Sequence, residues 1–170
     1  IAERARMESP EGRESAEFWK ARLASPPAPL ELGDRRPSGA RQFVADTAYL
    51  RLEGTRFAAL RSLAKARRVT LFQLLLGTVA TLLGRRGGSD DFVLSIPYAS
   101  QGLGRHPALM SDGVLDLPLR LRLTRRDDTL ANLEPVRSAL MDALEHPLMT
   151  QGLAARLLGL PSRGDRPPLT

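Results

Sequence analysis

Thr70–Leu123 reads TLFQLLLGTVATLLGRR (70–86), GGSD (87–90), DFVLSIPYA (91–99), SQGLGRHPALMSDG (100–113) and VLDLPLRLRL (114–123). Thr70 has the side chain of a helix N-cap. The apolar residues after it surround most of a helical circumference, which predicts a helix buried on nearly all sides. Gly77 costs about 1 kcal/mol relative to Ala inside a helix, so it marks a close approach of another element. Arg85 and Arg86 suit the C-terminal dipole, and Gly87-Gly88 provide a left-handed stop. Phe92–Tyr98 reads as a short strand ended by Pro97. In the next run Leu115, Leu117, Leu119, Leu121 and Leu123 face one way, and Asp116, Pro118, Arg120 and Arg122 the other. Pro118 removes a ladder donor, placing this strand at an edge or interrupting it. A buried helix feeding two strands, with a Gly-containing loop between them, describes an α/β core.

Outward from that core, Ser9-Pro10-Glu11 is a helix start: hydroxyl cap, Pro at the first position, acid in the first turn. This helix is expected to reach about Leu23, with Phe18, Ala21 and Leu23 on one face and Trp19 beside them as a packing anchor. Pro26, Pro27 and Pro29 end it and begin an extended connector. Gln42–Leu52 alternates imperfectly and predicts a strand. Gly54-Thr55 opens a helix with Phe57, Leu60, Leu63 and Ala64 at helical spacing and Arg56, Arg61, Lys65 and Arg67 on its far side. After the second strand, Asp128-Thr129 announces a helix whose start Pro135 kinks or delays. His146-Pro147 breaks it, and a last short helix runs from Thr150 to Leu158. The expected order is α–β–α–α–β–β–α–α, with no internal repeat. The fold class is α/β in two layers, a mixed sheet covered by helices. Residues 1–40 form a helix and Pro-rich connector, and 41–170 the core.

At 170 residues and 42% hydrophobic content the chain can bury a core, and 5% aromatics make that core mostly aliphatic. The absence of cysteine excludes disulfides and thiolate chemistry. No apolar run reaches the roughly 20 residues that span a bilayer, and IAERARMESPEGRES lacks the apolar middle of a signal peptide. A cytoplasmic protein with no membrane partner is expected. The formal charge of +6 and pI near 10.8 raise nucleic-acid binding. However, Lys20 and Lys65 are the only lysines, arginines are spread over every expected element, and no aromatic platform lies among them. A solvated surface is the better reading. His106 and His146 have no partner at metal-ligand spacing. GLGRHP lacks the GK[ST] of a phosphate loop, GxSxG is absent, and Ser89, Asp90 and Asp91 read as turn residues. The residues offer no self-sufficient catalytic constellation, which also leaves open a helical adaptor without chemistry.

Four stretches carry a resemblance. EFWKARLASPPAPLELGDRRP is similar to a "YWxxxLxxxPxxLxLPxDRPRP" connector, matching at Trp19, Leu23, Leu30, Leu32, Asp34, Arg35 and Pro37. VTLFQLLLGTVATLLGRRGGSDDFVLSIPYASQ is similar to "VTLxxxLLAAxAxLLxRxxGxxDxVVGxPVAxR". DGVLDLPLRLRL stands where the pattern has "GFFVNTLPLRLxL", and LEHPLMTQGLAARLLGL where it has "HQDxPFExLVExL". In this order they resemble the condensation domains of nonribosomal peptide synthetases, in the chloramphenicol-acetyltransferase-like superfamily.

That resemblance implies a chloramphenicol-acetyltransferase-like lobe, one half of a V whose two lobes enclose a tunnel. Two carrier proteins deliver substrates there on phosphopantetheinyl arms, and no cofactor binds the chain directly. The acceptor amine attacks the donor thioester, helped by a histidine of an HHxxxDG signature. Nothing in residues 1–15 matches that signature, so no catalytic residue is assigned. The resemblance implies an internal piece, mostly of the C-terminal lobe, that pairs with an N-terminal lobe outside it. Its tunnel-wall candidates are Ser95, Pro97, Ser100, Asp112, Leu115, Asp116 and His146. The pattern's asparagine falls on Leu115 and its two aromatics on Asp112 and Gly113. The resemblance implies an amide-forming domain, and these departures shift some weight to the alternative of a variant: epimerising, ester-forming, or retained for carrier-protein recruitment. Basic helices would meet acidic carrier surfaces.

Overall fold

A computed structural model describes residues 8–32, 46–99, 114–124, 128–148 and 151–159. In chain order these form α1 (Pro10–Arg22), α2 (Gly54–Ala66), α3 (Leu71–Gly87), β1 (Asp91–Ala99), β2 (Val114–Arg122), α4 (Leu133–Glu145) and α5 (Gln151–Leu157). Several helix boundaries have a local cause. Ser9 Oγ accepts from Gly12 N at 3.1 Å ahead of Pro10. Thr70 and Gln73 form a reciprocal capping box, Gln73 N donating to Thr70 Oγ1 at 3.1 Å and Thr70 N to Gln73 Oε1 at 2.8 Å. Gly88 ends α3 at φ 65°, the left-handed stop expected of the Gly-Gly pair. Pro135 delays α4, which begins at Leu133, and His146 closes it.

β1 and β2 form an antiparallel ribbon in continuous register from Asp91↔Arg122 to Ala99↔Val114. Leu123 N donates to Asp90 O at 2.7 Å. Hydrogen-bonded pairs therefore recur at every second step, at Phe92–Leu121, Leu94–Leu119 and Ile96–Leu117. Pro97 and Pro118 fall on the pairs between them, where an N–H would point out of the ribbon. Neither proline therefore interrupts pairing, and β1 runs past Pro97 to Ala99 rather than ending at it.

The ribbon is covered on both sides. Phe92, Leu117, Leu119 and Leu121 are fully buried on one face, and Phe92, Leu119 and Leu121 cluster with Ala80, Val136, Leu140 and Ala143 of α3 and α4. On the other face Pro118 and Arg120 are buried too, Arg120 reaching the end of α1. α3 approaches closely through two glycines. A Cβ on Gly77 would lie 2.9 Å from Leu133 Cδ2, and one on Gly84 would lie 2.6 Å from Leu123 Cδ1. α1 is anchored by Trp19, which is 2% exposed and donates Nε1–H to His146 O at 2.9 Å. Ser15 Oγ donates to the same carbonyl at 3.2 Å, and Phe18 stacks on the His146 ring at 4.0 Å.

Two expectations are corrected. Residues 46–52 form no strand: Tyr49 and Leu50 are 92% and 85% exposed, and among the described residues only β1 and β2 pair. Alternation alone does not make a strand when no neighbour supplies the ladder. The earlier part of Gln42–Leu52 lies outside the described residues. Nor is α3 buried on nearly all sides. Phe72, Leu75, Val79 and Leu82 are 42–58% exposed, because among the described residues α2, α4 and the ribbon pack on the opposite face.

Candidate functional site

The ribbon carries most of the described site candidates, and its register decides which of them meet. Ser95 pairs with Pro118 and Pro97 with Asp116 at successive non-hydrogen-bonded positions. Opposed residues share a face, so these four side chains form one patch. Leu115 lies opposite Tyr98, on the reverse face with the leucines. His146 belongs elsewhere: as the C-cap of α4 it holds α1 through its carbonyl and ring. Ser100, Asp112 and the earlier-noted His106 lie outside the described residues.

Within the patch the two polar side chains have unusual surroundings. Ser95 is half-buried, and its Oγ is enclosed without a hydrogen-bond partner. Asp116 is exposed. Pro97 and Pro118 contribute no main-chain donor.

One step along the same face the electrostatics are fully satisfied. Arg120, 6% exposed at its side chain, donates Nε to Asp91 Oδ1 at 2.9 Å and Nη2 to Asp91 Oδ2 at 2.7 Å. Its Nη1 donates to Arg22 O at 2.9 Å, and Arg122 Nε stands 3.6 Å from Asp91 Oδ2. The Arg120 hydrogen bonds hold the Asp91 carboxyl below its usual pKa, and Asp91 raises that of Arg120. This fork locks the ribbon to the end of α1. Asp91 is thus a strand residue in an ion pair rather than a turn residue; Ser89 does make the turn, donating Oγ–H to Asp91 O at 2.8 Å. Asn132 is a second buried polar joint that the residue pattern does not single out. Its Oδ1 accepts from Thr124 N at 2.9 Å and its Nδ2 donates to Thr81 Oγ1 at 3.1 Å. An arginine inside an apolar alternator was a readable signal for the first joint; a lone Asn before a helix carries little for the second.

Among the described residues no three His, Cys, Asp or Glu side chains gather as metal ligands would. No single described helix is long and apolar enough to cross a membrane. The buried polar side chains of Arg120 and Asn132 join one element to another.

Comparison with known proteins places this arrangement. The family model of the condensation domain matches residues 1–149. The chain belongs to the condensation-domain family. Its relatives are peptide synthetases. Malpibaldin synthetase of Mortierella alpina is 29% identical over 162 residues, which is 94% of this chain and 3% of that protein. A dimodular nonribosomal peptide synthase of Bacillus subtilis is 35% identical over 85 residues, 49% of this chain and 4% of the relative. Among solved structures, the X-domain complex from teicoplanin biosynthesis superposes with TM-score 0.82 at 24% identity, over 96% of this chain and 36% of that one. The starter condensation domain of rhizomide synthetase superposes with TM-score 0.72 at 25% identity, over 95% and 35%. These condensation-type neighbours give the chain its chloramphenicol-acetyltransferase-like α/β class. The chain spans little more than a third of the matched structures and a few per cent of the curated relatives.

Proposed function

We propose that this condensation-family chain forms most of the C-terminal lobe of a peptide-synthetase condensation domain and one wall of its tunnel. The complete domain joins a donor thioester to an acceptor amine, both carried on phosphopantetheinyl arms of carrier proteins in the cytoplasm. The C–N bond forms at the thioester carbonyl, the C–S bond breaks, and the amine proton leaves with the carrier thiol. Residues 1–40 supply the connecting helix and Pro-rich segment, and 41–170 the lobe core. The observation that carries this reading is the family match over residues 1–149. The open apolar face of α3 supports a partner lobe, because monomeric proteins seldom leave such a stripe bare.

In this reading the chain's own work is to shape and hold the channel. The ribbon forms the wall, and the Asp91–Arg120 fork fixes it against α1. The aminolysis machinery is supplied by the complementary lobe. Leu115, standing where the family pattern has asparagine, favours as a second reading a variant that makes an ester, epimerises, or only recruits carriers.

The test is reconstitution of the parent polypeptide with its two loaded carrier proteins, reading the acceptor arm by mass spectrometry. Amide product on the acceptor arm is expected. An ester or an epimerised donor would establish the variant reading, and no transfer from correctly loaded carriers would overturn acyl transfer.

A further inference from the structure

We infer that Ser95 and Asp116 form a substrate-reading patch that selects a cationic, hydrogen-bond-donating side chain on the carried amino acid. This inference rests on the condensation reading above.

Ser95 and Asp116 are diagonal neighbours on one ribbon face: Ser95 lies opposite Pro118, and Asp116 is two residues along the same strand, opposite Pro97. Such diagonal positions are roughly 7–8 Å apart, close enough for one extended polar group to bridge them. The Ser95 hydroxyl is enclosed with no hydrogen-bond partner. A hydroxyl left this way destabilises the folded chain, and alanine would fill the same place without that cost. Packing therefore does not account for it. Ser95 as a residue is only half-buried, and its hydroxyl has three staggered positions about the Cα–Cβ bond.

Asp116 supplies the charge. The other carboxylate of the ribbon, Asp91, is engaged by Arg120 and Arg122, whereas Asp116 stands exposed at the far end of the same face, in a chain of net charge +6. Exposed Pro97 completes the patch, with Pro118 fully buried beside it, and neither proline has an N–H to offer. Arg120, the other diagonal neighbour of Ser95, has its donors engaged by Asp91 and the Arg22 carbonyl. The exposed patch is consequently rich in acceptors, a carboxylate and a hydroxyl that can accept. Its complement is a group that only donates and is positive, an ammonium or guanidinium. A substrate carboxylate would meet Asp116 with like charge.

The experiment uses the complete parent protein with two nearly isosteric probes, the ornithyl and norleucyl N-acetylcysteamine thioesters, each offered as donor and as acceptor. In one of the two positions the wild-type protein should prefer the ornithyl thioester at least tenfold in kcat/KM. Asp116→Asn should reduce that preference about tenfold. Ser95→Ala should reduce it severalfold while raising Tm, a combination that a merely structural hydroxyl would not produce. Binding of the ornithyl probe, measured by calorimetry, should weaken in parallel. An unchanged preference in Asp116→Asn, or a wild-type preference for norleucyl, overturns the inference. If the ornithyl probe binds in an Asp116-dependent way yet no transfer occurs from correctly loaded carriers, the patch stands and the condensation reading falls; binding of neither probe overturns the inference.

Discussion

Asp91 shows how one side chain couples the ribbon to solvent conditions. Its carboxyl is held below the ordinary value chiefly by the hydrogen bonds from Arg120. A group whose pKa is depressed by folding contributes stability above its unfolded value, about pH 4, and loses that contribution as pH falls through the folded value. Melts of wild type and Asp91→Asn should therefore differ most near neutrality and converge on acidification toward pH 3. A difference in Tm that stays constant from pH 7 to pH 3 would show that the fork is not the source. Much at this scale was readable from sequence. Ser9, Thr70, Gly88 and Pro135 each punctuate a helix where their chemistry requires. What was hidden was pairing across distance: no local pattern says that Arg120 bonds the carbonyl of Arg22, 98 residues earlier.

At the scale of elements, α3 shows where pattern reading succeeds and where it fails. Gly77 and Gly84 both sit at close approaches, but their neighbours differ. The Cβ of Gly77→Ala would press on the tip of Leu133, which can swing away, and helix propensity favours Ala by about 1 kcal/mol. The Cβ of Gly84→Ala would also meet the Ser89 carbonyl oxygen at 3.0 Å, which is main chain and cannot. Denaturant unfolding should find Gly77→Ala near neutral and Gly84→Ala destabilised by about 1–3 kcal/mol. Equal costs at the two sites would refute this geometry. Composition made the whole helix look buried because Leu, Phe and Val occupy both faces. Which face lies bare depends on what packs against it, and that is a property of the assembly. The same holds for residues 46–52, whose alternation needs a neighbouring strand before it becomes one. Of the site candidates, the alternation placed Asp116 on the polar side of its strand. That it shares a face with Ser95 and Pro97, however, depends on the pairing register. That the His146 carbonyl joins α1 to α4 depends on a contact 127 residues apart.

For the molecule as a whole, the bare stripe governs behaviour in solution. Phe72, Leu75, Val79 and Leu82 recur at intervals of three and four along α3, a seam spacing that invites another apolar surface. The 170-residue chain should self-associate with rising concentration on size-exclusion chromatography. Leu75→Lys combined with Leu82→Lys should restore a monomer without lowering Tm. In the intact parent protein, a covering lobe predicts that the same pair of changes destabilises. A monomeric wild-type chain would contradict the stripe's role. One further feature provides a way to watch the two ends of the described fold at once. Trp19 is the chain's single tryptophan, and its indole N–H is spent on His146, 127 residues away. Intrinsic fluorescence is therefore an optical gauge of one contact, reporting when the first helix lifts from the end of the fourth while the ribbon behind them remains paired.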